Sequence, residues 1–278
     1  MLQQTQVNRV KEEYYPNFIE KFPSIEALAK AKEEDVIAAW SGLGYYSRAR
    51  NLHKTAKSVQ TKLPRTYKEL LALPGIGKYT ASAICSFGYH QNIIVVDTNI
   101  ARVLRRFFAS SDANEKEIDE KATFLANENG SRDYNLALMD LGSFICTPKN
   151  PKCQKCPLVK NCLGKEEPEL YTKVKKTRYE KLDLYLGIVI QNGKIALTKS
   201  DTSMYKNMLV LPPVEPIEEN YITSFKHAYT KYNITVYLYQ YDDLEIYDLE
   251  WYDLALIKSL PVASLTTKAI SKYKTYKT

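Results

Sequence analysis

No window of the chain approaches the roughly 18 uninterrupted apolar residues of a membrane-spanning helix, which excludes a helical membrane protein. There is no internal repeat and no low-complexity tract, so neither a solenoid nor a compositionally disordered chain is expected. Met1 opens onto a polar stretch, Leu2-Gln3-Gln4-Thr5-Gln6. That is not the charged-then-apolar pattern of a secretory leader, and the chain is read as cytoplasmic, where thiols stay reduced and disulfides are rare.

What is present points to a globular protein with a polyanionic partner. A length of 278 residues suits two domains, and 45% hydrophobic with 26% charged residues is an ordinary globular balance. Lys and Arg number 39 against 32 Asp and Glu, a net charge of +7. An excess of cations favours nucleic acid, because each neutralised phosphate releases condensed counterions. Tyrosine is abundant, at 22 residues. Most are expected in the core or on amphipathic surface, and a few as stacking or wedge residues.

The first 165 or so residues read as helices. Ser24 is placed to cap a helix carrying Ile25, Leu28 and Ala29. Val36, Ala39 and Trp40 continue a second short helix. Thr66-Tyr67-Lys68-Glu69 is a capping box leading into Leu70, Leu71 and Leu73. Ile100, Val103, Leu104 and Phe107 fall at helical spacing, as do Leu138, Leu141 and Ile145. Gly164 to Glu180 is charged and aperiodic, and reads as a linker. Strands follow at Leu182–Ile190 and Asn233–Tyr239, with an Asn192-Gly193 turn between the first and Ile195-Ala196-Leu197. Leu254–Tyr273 mixes short helices and turns. The fold class is therefore multidomain, all-α followed by α+β. The boundaries expected are 1–165, a linker at 166–179, and 180–278.

Three motifs carry chemistry. In Cys146-x6-Cys153-x2-Cys156-x5-Cys162, four thiols lie within 17 residues, broken by Pro148, Pro151 and Pro157. Such a loop can bring them onto one metal centre, and spacing alone leaves zinc and an iron–sulfur cluster open. Lys149, Lys152, Lys155 and Lys160 would turn positive charge toward a phosphate backbone. The fifth cysteine, Cys85, reads as core.

The second motif is Leu73-Pro74-Gly75-Ile76-Gly77-Lys78-Tyr79-Thr80-Ala81 between two predicted helices. Its glycines let the backbone turn tightly and approach another surface. The next helix begins there with free N–H groups. This is a helix-hairpin-helix signature, a DNA grip indifferent to sequence, weighed against an ordinary interhelical turn. The third motif is Val95-Val96-Asp97-Thr98-Asn99. Asp97 is placed to cap the Ile100 helix, and a carboxylate there can equally stabilise a sugar cation.

Taken in this order and at this spacing, the hairpin, Asp97 and the cysteine loop resemble the helix-hairpin-helix DNA glycosylases over about residues 1–165. Met1-Leu2-Gln3-Gln4-Thr5-Gln6-Val7 and Gly42-Leu43-Gly44-Tyr45-Tyr46-Ser47-Arg48-Ala49-Arg50-Asn51-Leu52 are similar to the MutY-type adenine glycosylases within that group. The resemblance implies removal of adenine mispaired with 8-oxoguanine, or with guanine. It implies a [4Fe-4S] cluster on Cys146, Cys153, Cys156 and Cys162. It gives Asp97 the role of stabilising the sugar cation, with Asn99 beside it. Tyr79 occupies the position where lyase relatives such as endonuclease III keep a catalytic lysine, which implies a glycosylase without strand cleavage beyond weak nicking by Lys78. Gln4 and Tyr45 match base-stack wedges, and Leu43 and Thr5 match residues near 8-oxoguanine. Leu73, Gly75, Ile76, Gly77 and Lys78 form the DNA-gripping hairpin. Residues 180–278 look like the family's NUDIX-related α+β domain, with Trp251, Asp253-Leu254 and Leu260-Pro261 near its end. The glutamate-rich pyrophosphatase box is missing, so nucleotide hydrolysis is not expected. The family's lesion-reading Phe-Ser-His loop would fall at Tyr229-Thr230-Lys231.

One departure bears on activity. The family's general-acid glutamate lies two residues before the methionine of the Met-Leu-Gln-Gln-Thr string, which here is Met1. It normally contributes about 10²–10⁴-fold, and Glu12 and Glu13 are not expected to replace it. A start read too late or a truncated gene competes with a binding-only protein. The upstream nucleotide sequence separates these. The expected partner is double-stranded DNA holding A:8-oxoguanine or A:G, bound by a monomer with no membrane contact. The rivals are an endonuclease III-like glycosylase-lyase, a catalytically dead lesion binder, and a zinc-bound DNA adaptor.

Overall fold

In the computed structural model, all residues are described except 3–6, 126–130, 173–177, 245–248 and 278. By contacts the chain divides into two units. The first joins Met1–Lys62 to Thr177–Thr278, and the second is Leu63–Lys176.

The first unit begins with α1 (Val7–Arg9), a π-helical turn at Val10–Tyr14, and α2 (Tyr15–Lys21). Then come α3 (Ile25–Lys30), α4 (Glu33–Ala39) and α5 (Ser47–Val59). Ser24 caps α3 as its sequence implies, its Oγ accepting from Ala27 N at 3.1 Å. The strands are β1 (Glu180–Ile188), β2 (Ile190–Gln191), β3 (Lys194–Lys199), β4 (Leu209–Val210), β5 (Tyr221–Tyr229), β6 (Tyr232–Gln240) and β7 (Glu250–Asp253). One sheet has the order β1-β6-β5, with β1 parallel and β5 antiparallel to β6. In the other, β3 lies between β2 and β4 in the pairing path and also pairs β7. Asn192 and Gly193 take φ of +49° and +74°, the left-handed pair that a two-residue hairpin turn requires. Ile234, Val236 and Leu238 alternate inward along β6 at 0% exposure, as a half-buried strand should.

A single apolar core joins the two ends of the chain. Val36, Ile37, Trp40, Leu43 and Tyr46 belong to it together with Met208, Leu211, Ile234, Val236, Val262 and Ala263. The Tyr46 and Tyr205 rings meet edge-on with centroids 6.5 Å apart. Packing thus groups the chain differently from the 1–165 and 180–278 boundaries read from chain order. The short helices before residue 62 carry more apolar surface than they can bury among themselves, and the sheet covers it. A second difference is α11 (Ser264–Lys277), one 14-residue helix where short helices and turns were expected. Its polar residues leave a weak periodic signal, while Leu265, Ala269 and Ile270 dock on the core.

The second unit contains α6 (Tyr67–Leu71), α7 (Lys78–Ala83), α8 (Thr98–Phe107), α9 (Glu115–Leu125) and α10 (Ser131–Asp140). π-Helical turns at Ile84–Gly88 and Leu141–Ile145 extend α7 and α10. The capping box forms: Glu69 N donates to Thr66 Oγ1 at 3.3 Å. Ile100, Val103 and Leu104 pack against Ile118, Ala122, Leu138 and Leu141. Leu70, Ala81 and Cys85 form a small separate core under the hairpin. Cys85 is the buried residue its neighbours imply, with its thiol pKa pushed up by burial. The start of the expected linker is ordered: Pro168–Tyr171 forms a 3₁₀ turn.

No helix among the described residues is long and apolar enough to cross a membrane.

Trp40 is 2% exposed, donates Nε1–H to the Gly44 carbonyl at 3.2 Å and meets Phe18 edge-on at 5.8 Å. Trp40→Ala should cost about 3–5 kcal/mol, read as a lower urea midpoint with an unchanged m-value.

Candidate active site and cysteine loop

Asp97 sits where an eight-residue stretch without regular structure, 90–97, enters α8. Its carboxylate is held at both oxygens. Oδ1 accepts from Ile100 N at 2.7 Å and Oδ2 from Asn99 Nδ2 at 3.0 Å. The helix-capping role and a chemical role therefore coexist: the cap fixes the carboxylate, and lone pairs on both oxygens stay available to a cation. Tyr79 lies in the same field. Its pKa is raised first by burial and then by the Asp97 charge. Lys78 faces elsewhere, its Nζ 4.0 Å from Glu115 Oε2 with both side chains largely exposed. The charge of Asp97 thus reaches Tyr79, while the adjacent lysine pairs with Glu115.

Behind Asp97 runs a chain of hydrogen bonds that the sequence motifs did not include. Asn99 Oδ1 accepts from Arg102 Nη2 at 2.9 Å. Arg102 also donates to the carbonyls of Gly142 at 2.7 Å and Cys146 at 2.8 Å. One turn on, Arg106 is 2% exposed. It donates to the carbonyls of Thr147 at 2.7 Å, Pro148 at 3.0 Å and Pro168 at 2.8 Å, to Thr172 Oγ1 at 2.8 Å, and to Cys146 Sγ at 3.3 Å. Asn99, Arg102 and Arg106 stand at i, i+3 and i+7, one face of α8. That polar stripe, set among the buried Ile100, Val103 and Leu104, was the available signal. Gly142 is another missed residue: a Cβ there would lie 2.8 Å from Asn99 Cβ.

The four cysteines of the loop, Cys146, Cys153, Cys156 and Cys162, line one small cavity of about 30 Å³ with Arg106, Ile145 and Val159. Two 3₁₀ turns, Cys153–Lys155 and Val159–Asn161, bend the loop around it. Burial raises the Cys156 and Cys162 thiol pKa values, and the neighbouring cysteine charges add to the rise. Among the described residues, no set of three or more His, Cys, Asp or Glu side chains is arranged to hold a metal ion.

In the hairpin, Gly75 takes φ +73° and Ile76 N closes the turn on the Leu73 carbonyl at 3.2 Å. Gly77 precedes α7 in extended conformation, with open space where a Cβ would stand. Leu73 and Ile76 anchor the turn on the small core below it.

In the first unit, Tyr45 is 45% exposed at φ +49°, with the Arg48 guanidinium 5.6 Å from its ring centroid. Leu43 is only 6% exposed and belongs to the core, so a contact between its side chain and DNA needs the loop to open. Gln4 and Thr5 lie outside the described residues. Tyr229 packs on Tyr205 at 4.5 Å between centroids, and Thr230 forms the exposed tip of the β5–β6 hairpin at φ +49°. That is a strained setting for a β-branched residue.

A glycine hairpin docked on its own small core, followed by a capped aspartate and a cysteine loop, is the arrangement of a base-excision DNA repair protein. Residues 1–127 match the family described as HhH-GPD superfamily base excision DNA repair protein. Over 60% of this chain and 80% of the other, the fold is similar to a thermostable thymine-DNA glycosylase, with a TM-score of 0.56 and 33% identity. The whole chain is 34% identical to the adenine DNA glycosylase of Buchnera aphidicola subsp. Baizongia pistaciae (strain Bp), over 88% of that protein. It is 36% identical to the adenine DNA glycosylase of Buchnera aphidicola subsp. Schizaphis graminum (strain Sg) over 76% of this chain, and spans 65% of that relative's length. The chain belongs to the adenine DNA glycosylase family.

Gly142→Ala should push Asn99 aside and destabilise the second unit by about 1–3 kcal/mol. Arg106→Met should cost at least about 3 kcal/mol, because several buried acceptors lose a charged donor. Chemical denaturation followed by circular dichroism measures both.

Proposed function

We propose that this chain recognises adenine opposite 8-oxoguanine in duplex DNA, with A:G as a secondary substrate, and serves base excision by hydrolysing the adenine N-glycosidic bond. The carrying observation is Asp97, fixed at both oxygens and accompanied by Tyr79 rather than a lysine, in a member of the adenine glycosylase family. In the reaction the target nucleotide is extruded from the stack. The C1′–N9 bond breaks as the departing adenine takes a proton. The electron deficit left on the sugar is opposed by the Asp97 carboxylate, and water adds at C1′ to give an abasic site. No general acid is assigned among the described residues. A lyase would need an amine at C1′, and the orientation of Lys78 toward Glu115 disfavours that rival.

The remaining roles follow the same reading. Leu73, Gly75, Ile76, Gly77 and Lys78 grip the backbone. Tyr45 and Gln4 wedge into the stack, with Leu43 and Thr5 near the lesion. Tyr229 and Thr230, at the tip of a NUDIX-like domain, read 8-oxoguanine. The functional partition is 1–165, linker 166–179 and 180–278. The protein acts as a monomer on bacterial cytoplasmic DNA.

Cys146, Cys153, Cys156 and Cys162 hold a [4Fe-4S] cluster in this proposal. What supports the reading is that the four cysteines line one cavity in a member of the adenine DNA glycosylase family; they would hold the cluster as thiolates. When bound, the cluster cross-links the loop that Arg106 and Arg102 tie to α8.

The protein should release adenine from A:8-oxoguanine faster than from A:G, and leave thymine glycol untouched. Asp97→Asn should abolish release while mismatch binding survives. Retained release would remove Asp97 from the mechanism, and cleavage at thymine glycol would favour the lyase. The purified protein should be brown, with iron and sulfide in equal amounts and no zinc. Colourless zinc protein would overturn the cluster assignment.

A further inference from the structure

We infer that Asn135 is a positioning residue for Asp97, acting through the backbone of the stretch that delivers it. Asn135 lies on α10 at 0% exposure. Its Oδ1 accepts from Val95 N at 3.0 Å. Its Nδ2 donates to the Ile93 carbonyl at 2.9 Å and to Ser86 Oγ at 3.1 Å, and Ser86 is itself fully buried.

These bonds have an uncommon function. Residues 91–97 belong to no helix or strand, so no ladder pairs their backbone. Buried backbone groups need partners, and the Asn135 amide supplies one to an N–H and another to a carbonyl two residues apart. It mimics a neighbouring strand over the length of a single side chain. Val95, at 0% exposure, leaves this part of the stretch no access to water. Only Val96 separates the held residue from Asp97. On the far side, the cap to Ile100 N and the bond from Asn99 complete the restraint. Asp97 is thus held from both directions along the chain, and Asn135 sets the upstream one.

Only an amide side chain offers both functions, and glutamine would carry it one methylene further out. Aspartate lacks the donors, leucine lacks both functions, and the Val95 N–H and Ile93 carbonyl together fix which end of the amide faces Val95. Asn135 touches neither Asp97 nor a substrate, so its contribution is to the location of the carboxylate.

The inference rests on Asp97 being the group that stabilises the sugar cation, and the test separates the two. Two duplexes carry, opposite 8-oxoguanine, either a neutral tetrahydrofuran abasic analogue or a pyrrolidine analogue protonated near the C1′ position. Their dissociation constants are measured at matched salt and expressed as a ratio. Neither probe requires turnover. The parent protein should favour the cation, and Asp97→Asn should remove the preference. A parent without preference, or one whose preference survives Asp97→Asn, overturns the reading of Asp97 and this inference with it. Given that preference, Asn135→Ala should reduce the ratio on the order of tenfold, as expected for ångström-scale displacement of a charge, with affinity for the neutral duplex retained. Equal weakening of both duplexes, or an unchanged ratio, overturns the positioning role and leaves Asp97 intact. If Asn135→Ala does not fold, Ser86→Ala decides. It removes the third of the amide's bonds, and should lower the ratio in the same sense by a smaller factor. No change in that variant would sink the inference.

Discussion

The second unit depends on how α8 handles two buried guanidinium groups. A charge that leaves water must be repaid by hydrogen bonds, and Arg106 obtains its bonds from the carbonyls of a loop that has no regular structure of its own. The same bonds satisfy those carbonyls. Helix and loop therefore solve one another's solvation problem, and neither arrangement is stable without the other. Arg102 extends the link toward Asn99 and Asp97, so the carboxylate and the cysteine loop belong to one polar network laid along one face of α8.

That network explains how a small unit holds a reactive carboxylate still. Packing supplies the frame: Ile100, Val103 and Leu104 seat α8 against α9 and α10. Packing alone would leave the entry to the helix loose, because 91–97 lacks ladder bonds. Side-chain amides close the gap on both sides, Asn99 after Asp97 and Asn135 before it. The glycines serve the same economy. Gly142 lets the π-helical turn come against Asn99, and Gly75 lets the hairpin reverse within a few residues.

Much of this was legible in the amino-acid order. Ser24, Thr66 and Asp97 announced their helices, since caps are local and act within three residues. Asn192-Gly193 announced its hairpin for the same reason. The cysteine spacing announced a loop that gathers all four side chains around one cavity. Asn135 and Gly142 were silent, and Arg102 and Arg106 showed only as a polar stripe without a partner, because each acts across about 40 residues or more of chain. The grouping of residues 1–62 with the C-terminal sheet was silent too. Hydrophobic pattern tells which face is buried, not against what. The 14-residue α11 was missed because threonine, serine and lysine dilute its apolar stripe.

The discontinuity of the first unit has a consequence for biosynthesis. Trp40, Leu43 and Tyr46 are made early, yet the residues that enclose them, from Tyr205 to Ala263, are made last. At roughly 5–20 residues per second, the ribosome takes on the order of tens of seconds to supply them. The second unit, continuous in sequence, can meanwhile complete its own core. The opening helices must wait with apolar surface uncovered, which makes the nascent N-terminal segment the natural client of a chaperone during translation.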